Sequence, residues 1–536
     1  MWLDALDTVN EPFKKLTPIK SRECPMMREA MLACGARHLN FKNPAEHPES
    51  TVLHHYGQAL RRLLVDMNRG NNGITSNSSG GLLSHHAPID HRRHSTSSPR
   101  VTEDQAITAV LLNVYDVMSA HSSRTDVTAS SGTADSTATP AVHPGHQRTA
   151  YEASARHLIE QVGWNARTPG IGGACFWNNI GFEVLSCLHF NISITRKPEI
   201  WGLVEPQHGI VSHSDARGRP QSAGEGGEEI WPYTTQSSTA RIVRGPANIP
   251  FLDWSKDEGD ERPGLECLWA RRQLFLLAKL NDYRVDFVQN LHILRDRPDF
   301  PGSSFEWSRM ASRLSRRWQK LWDLNELWCQ NRPRTMAPTW TIRVQDLRPA
   351  PNTMRSNFPQ TKYAGRTATV AALFHQMAKL LLSQHNPAVV VNEGTAEGER
   401  LLNAMDQEET NSALMICSIT AHTRDAGVAS IAIQPLHHAA ETLGDPAKQN
   451  EVLAIFDRIS RTIGWRIDNI ITELMQLWQM TPSQPTLPMP TTRTPMIPIT
   501  SALADLSMTL PPLQQRDRNS PRSLGGPPLA FFKLPR

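Results

Sequence analysis

Apolar residues recur along this chain at spacings of three and four, one stretch after another, which is the period of helices with a single buried face. The most apolar stretch runs from Ile171 to Trp201. It opens on Gly172 and Gly173 and then sets Phe176, Ile180, Val184, Leu185 and Leu188 on one face. Trp177, Phe182, Cys187 and Phe190 carry the apolar character round its sides, with Glu183 as the charged exception and His189 near the end. A helix with so little polar surface cannot lie on the outside of a domain. The rest of the chain is therefore expected to pack around it.

The same pattern predicts helices on both sides of that stretch. Arg22 to Leu39 reads as a helix interrupted near Gly35. Val52, Tyr56, Ala59, Leu60, Leu63, Leu64 and Met67 form a stripe that Gly70 ends, and the two together predict an antiparallel hairpin. Thr102 and Gln105 have the spacing of a capping box ahead of Ile107, Val110, Leu111, Val114, Val117 and Met118. Tyr151 to Val162 and Leu265 to Tyr283 continue the period. Ser303 and Glu306 suggest a second capping box before Trp307, Met310, Leu314, Trp318, Leu321 and Trp322. Further helices are expected around Val370 to Leu381, over Leu401 to His422, and over Asp425 to Leu443, where Pro435 should kink or end the last. Asp445-Pro446 makes a good start for a helix carrying Val452 to Leu477 across Gly464. No alternating run is long enough to build a sheet.

Between these stretches the pattern fails. Met1 to Ser21 has no strong period, so 1–21 is expected to be poorly ordered. Residues 71–100, 122–148 and 205–260 are polar, Ser/Gly/His- or Pro-rich inserts, and 481–536 is a Pro-rich tail expected to be disordered. The predicted fold class is all-α: one large multi-helix domain over 22–480 with long inserts. Composition agrees, since 39% hydrophobic residues and 39 prolines describe helices diluted by unstructured segments. A net charge of +4 over 536 residues gives no strong nucleic-acid or membrane signal. Seven scattered cysteines read as reduced, mostly buried thiols, and no apolar run is long enough to cross a membrane.

Several of these segments resemble the regulatory middle region of fungal zinc-cluster transcription factors. The pieces are ACFWNNIGFEVLSCLHFNISI, ECLWARRQLFLLAKLNDY, FEWSRMASRLSRRWQKLWDLNELWCQNRPRTMAPTW, the paired REAMLACGARHL and YGQALRRLL, and the long run from MICSITAH to SRTIGW. Their order agrees with the family's, and they span Arg22 to Trp478 without the inserts. The resemblance implies an all-helical regulatory domain in a nuclear regulator of a metabolic or biosynthetic pathway. Its partners would be other transcription factors or coregulator proteins, with a small-molecule effector and no membrane. The family's binuclear zinc cluster, C-x2-C-x6-C repeated after a short loop, has no counterpart here. Cys24 and Cys34 have nine residues between them and no partner follows before Cys175. Two thiols cannot hold a structural zinc ion. DNA contact is thus expected to be indirect, unless a zinc-cluster module precedes Met1.

Little in the sequence points to chemistry. His54-His55, His85-His86, His91, His94 and His437-His438 show no converging ligand spacing, so neither a metal nor a cofactor is expected. Glycines 170, 172 and 173 precede a helix as in an anion site, yet no strand leads in and no lysine follows. Cys175 at that helix start is expected to be buried and unreactive. The Trp/Arg segment 307–328 fits an amphipathic helix, tryptophans inside and arginines outside, better than a nucleic-acid surface. No nucleophile elbow or P-loop occurs, and no catalytic residue is expected. The rival readings are a cytoplasmic helical scaffold, since HRRH and SRRWQK are short for nuclear import, and, with less support, an all-helical enzyme. For a pocket between helices, Trp177, Phe182, Trp269 and Trp318 are the candidate wall residues.

Overall fold

The structure, a computed structural model, describes residues 4, 6, 10–72, 101–119, 144–201, 264–295, 304–342 and 356–480. Their helices are α1 (Pro12–Lys15), α2 (Thr17–Glu23), α3 (Pro25–Lys42), α4 (Glu49–Asn72), α5 (Glu103–Ser119), α6 (Pro144–Val162), α7 (Gly170–Phe190), α8 (Leu265–Arg295), α9 (Ser304–Asn331), α10 (Arg366–Gln384), α11 (Pro387–Val391), α12 (Ala396–His422), α13 (Ala426–Glu441), α14 (Pro446–Ile463) and α15 (Asp468–Leu477). One antiparallel ribbon, β1 (Pro338–Ile342) with β2 (Gln360–Tyr363), is the only sheet among them. The fold is all-α. Most of the three inserts, all of the tail, and Ser303 of the second capping box lie outside the described residues.

Several helix ends form as local chemistry dictates. Thr102 and Gln105 make the reciprocal pair of a capping box, the Thr102 amide donating to Gln105 Oε1 at 2.9 Å and the Gln105 amide to Thr102 Oγ1 at 3.3 Å. Asp445 Oδ1 accepts from the Ala447 amide at 2.9 Å and starts α14. Asp425 Oδ1 accepts from Gly427 and Val428 at the head of α13. At the end of α7, Asn191 adopts the left-handed conformation (φ 52°) that stops a helix.

Other ends depart from the sequence expectation, each for a tertiary reason. Helix α3 runs unbroken through Gly35, because packing on α4 and α5 outweighs the ~1 kcal/mol that glycine costs a helix. Helix α13 runs through Pro435, with both flanks buried. The final stripe, by contrast, breaks at Gly464, whose φ of 70° caps α14. There His38 Nδ1 donates to the Ile463 carbonyl at 2.8 Å, and α15 begins afresh at Asp468. Residues 12–23, where no period is legible, form α1 and α2. Buried Asp4 accepts from the amides of Phe13 and Lys14 at 2.9 Å, and Phe13 is fully buried.

The centre of packing also lies elsewhere than expected. Helix α7 is buried along most of its length against α1, α5, α6 and α8. The element that touches most others is α10, which packs on α8, α9, α12 and α13. Its Val370, Leu373, Met377 and Leu380 are completely buried. The charged exception on α7 is accounted for. Glu183 Oε1 accepts from Arg156 at 2.9 Å and from the amides of Thr195 and Arg196, joining α6, α7 and the following loop.

Candidate functional site

A cavity of about 50 Å³ lies where α7 faces α13, closed by α5 and α10. Trp177, Gly181 and Phe182 line it from α7, Phe374 from α10, and Ile431 and Gln434 from α13. Two of the four candidate wall residues, Trp177 and Phe182, therefore meet at one void. Trp177 is a fixed wall: its ring packs edge-on against Phe176 and Trp201, and the Arg271 guanidinium sits 5.4 Å from its centre. Phe182 is half-buried and closes the rim.

The void has identifiable local causes. Gly181 presents no side chain where a Cβ would find only ordinary contacts, Leu274 at 3.8 Å and Leu6 at 3.9 Å. Pro435 has no amide, so the Ile431 carbonyl beside the cavity loses the donor that a helix normally supplies from four residues on. Gln434 Oε1 is buried with no hydrogen-bond partner among the described residues. No lining side chain is ionisable. A charged guest would lose its hydration with nothing to replace it, so the cavity suits an uncharged group carrying one hydrogen-bond donor.

Trp269 and Trp318 lie outside this site. Trp318 Nε1 donates to the Leu382 carbonyl at 2.8 Å and its ring stacks on Trp322. The Trp269 carbonyl accepts from Trp328 Nε1 at 2.9 Å, and Arg272 covers the Trp269 ring at 4.9 Å. Both hold α8, α9 and α10 together. Arg313 and Arg317 of the same segment pair with Asp286, so these two arginines serve the helix packing.

The other sequence candidates resolve locally. A Cβ on Gly173 would run into the Thr168 carbonyl and one on Gly172 into the Trp164 indole, at 2.7 Å. These glycines admit a close approach of the preceding loop. Cys175 is completely buried, and burial pushes its thiol well above the ordinary range. Cys34 donates to the Leu111 carbonyl, its thiol pushed up to about 12 by burial. All seven cysteines are free, and no described helix is long and apolar enough to cross a membrane.

One cluster escapes the sequence argument. Beyond the cavity on α13, His437, His438 and Glu441 bring one ligand atom each within 4.8 Å of the others. His438 Nδ1 lies 3.2 Å from Glu441 Oε2, His437 Nε2 lies 3.9 Å from Glu473 Oε2, and the His189 ring packs 5.2 Å from that of His437. Burial drives His437 down to about 4, against the opposing pull of Glu441. For Glu441, burial is the largest influence and raises it. The His438 hydrogen bond and the charges of His438, His437 and Arg284 together outweigh burial and hold the carboxyl below its usual range. The adjacent histidines point about 100° apart on a helix and do not converge by themselves. The signal that completes them is the carboxylate three residues beyond His438. No family model, curated protein or solved structure matches this chain, so its function is argued from the site's geometry and from the residues that carry the resemblance.

Proposed function

We propose that this chain is a nuclear transcriptional regulator that works through partner regulators and responds to a small uncharged effector seated between α7 and α13. Two things support the reading. The segments that resemble the zinc-cluster regulatory region keep that family's order, and a cavity between helices carries Trp177 and Phe182 in its wall. The observation that carries the effector half is Gln434, whose buried carbonyl oxygen has no partner among the described residues, beside a void with no ionisable side chain in its lining.

A ligand offering one N–H or O–H to Gln434 and an apolar body to Trp177, Phe182 and Phe374 would complete the site. The cavity of about 50 Å³ has room for a few waters, whereas ligand sites measure ~300–1,000 Å³. Effector binding therefore goes with a parting of α7 from α13. Pro435 has already removed one rung of α13 at that point, which lowers the cost of the movement. A ligand that fits only the parted form shifts the population toward it, and partner surfaces on the same helices follow.

The test is a reporter assay with the full chain tethered to a foreign DNA-binding domain. A severalfold change in output is expected, and Gly181→Leu, which fills the void, should hold the output at one level whatever the growth conditions. Output equal to that of the bare DNA-binding domain would favour a cytoplasmic scaffold instead.

A further inference from the structure

We infer that His437, His438 and Glu441 bind one zinc-class divalent ion at the end of the α7–α13 seam. The inference does not rest on the regulator reading. The three residues occupy the last turn and a half of α13, both histidines buried and the glutamate half-buried, with a ligand atom from each within 4.8 Å of the other two. Around a tetrahedral ion with bonds of ~2.0–2.1 Å, ligand atoms stand about 3.4 Å apart. A contraction of up to about 1.4 Å closes the site, within reach of side-chain torsions on one helix. Two imidazoles and one carboxylate are the donor set of zinc sites that keep a fourth position for water or a guest.

The competing account is a buried His438–Glu441 ion pair beside a neutral His437. It leaves His437 Nδ1 and His438 Nε2 buried with no hydrogen-bond partner among the described residues. Such an orphan is destabilising, because a buried polar atom has lost its water and gained nothing in return. An ion would take the lone pair of one nitrogen on each ring. The surroundings match a metal site in one further respect. Glu473, 3.9 Å from His437 Nε2, is placed as the outer carboxylate that orients a ligating imidazole. Arg284 works the other way. It donates to the Leu188 carbonyl at 2.9 Å and sets a fixed positive charge near Glu441, so affinity should be moderate.

The experiment titrates the untagged full chain with Zn²⁺ against a chromophoric chelator, and with Co²⁺ by visible absorption. One equivalent should bind, with the intense bands of four-coordinate cobalt. Glu441→Gln keeps the volume and a hydrogen bond to His438, and should weaken Zn²⁺ binding at least ~10-fold with the circular dichroism unchanged. His437→Gln, with the fold checked in the same way, is a second and independent removal of a ligand. Failure to bind an equivalent overturns the site. So does binding unaltered in both variants, or binding lost on changing His85, His86, His91 and His94 to Asn while the α13 residues stay intact.

Discussion

Where α8, α9 and α10 meet, Trp318 and Trp328 each give an indole N–H to a backbone carbonyl, and His375 Nδ1 and Gln273 Nε2 share Asn325 Oδ1 at 3.0 Å. Where α7 faces α13, Gln434, His437 and His438 each bury a polar atom without a partner among the described residues, next to a void and an intrahelical proline. Helices α7 and α13 are the more apolar set, so the contrast does not come from a shortage of apolar residues at the seam. The first region also keeps a buried polar atom without a partner among the described residues, Gln273 Oε1; the difference is that those of the second sit beside a void and an intrahelical proline. Close packing locks a sector in one arrangement, whereas unpaired polar atoms beside a void keep free energy that a ligand can recover. The first behaves as scaffold and the second as the part able to respond.

The comparison breaks most readily at the scaffold. Trp328→Ala removes a fully buried ring that stacks on His375 and should cost ~3–5 kcal/mol in chemical denaturation, while Phe182→Ala at the half-buried rim should cost well under half of that. A rim variant as damaging as the scaffold variant would erase the distinction. The two ends of α7 give a second contrast. Gly173→Ala drives a Cβ into the Thr168 carbonyl and should destabilise by ~1–3 kcal/mol, read as a lower denaturation midpoint.

Acid sharpens the contrast next. Burial depresses His375 to about 3, with Lys379 and Arg332 adding to the shift, and burial likewise takes His385 to about 3. As pH falls below the ordinary value of 6.5, the unfolded imidazoles take up protons that the folded ones refuse until about pH 3. Stability is therefore full above pH 6.5 and declines toward pH 3, at up to ~1.4 kcal/mol per pH unit for each such group. His375→Gln should remove one group's share of that slope, measured as denaturation midpoint against pH. The smallest effect has the opposite sign. Gly181→Ala puts a methyl at ordinary contact distance from Leu274 and Leu6 on a helix and should stabilise by up to ~1 kcal/mol.

The sequence revealed the helices because burial of one face is a local, periodic property, and it revealed caps such as Thr102 and Asp445 because these act within three residues. It misjudged Gly35 and Gly464, and left open whether α13 continues past Pro435, because continuation or termination of the helix depends on what packs alongside. Gly464 breaks the chain with His38 against it, a residue from the far end of the sequence. Residues 12–23 hid their two helices because Asp4 and the packing of α1 on α7 hold them, and no stripe does. Among four equally apolar candidates, nothing in the spacing separates Trp177 and Phe182, which border a void, from Trp269 and Trp318, which do not. That void exists only once α7 and α13 meet. The pair His437-His438 was visible, but Glu441 gained meaning only from the fold.

Native-state amide hydrogen exchange compares the two regions in one experiment. The amides of α13 between Ile431 and Leu436 should open at a markedly lower free energy than those of α10 between Val370 and Leu381, which should exchange only with global unfolding. Equal protection in both helices would contradict the division into a locked scaffold and a responsive seam.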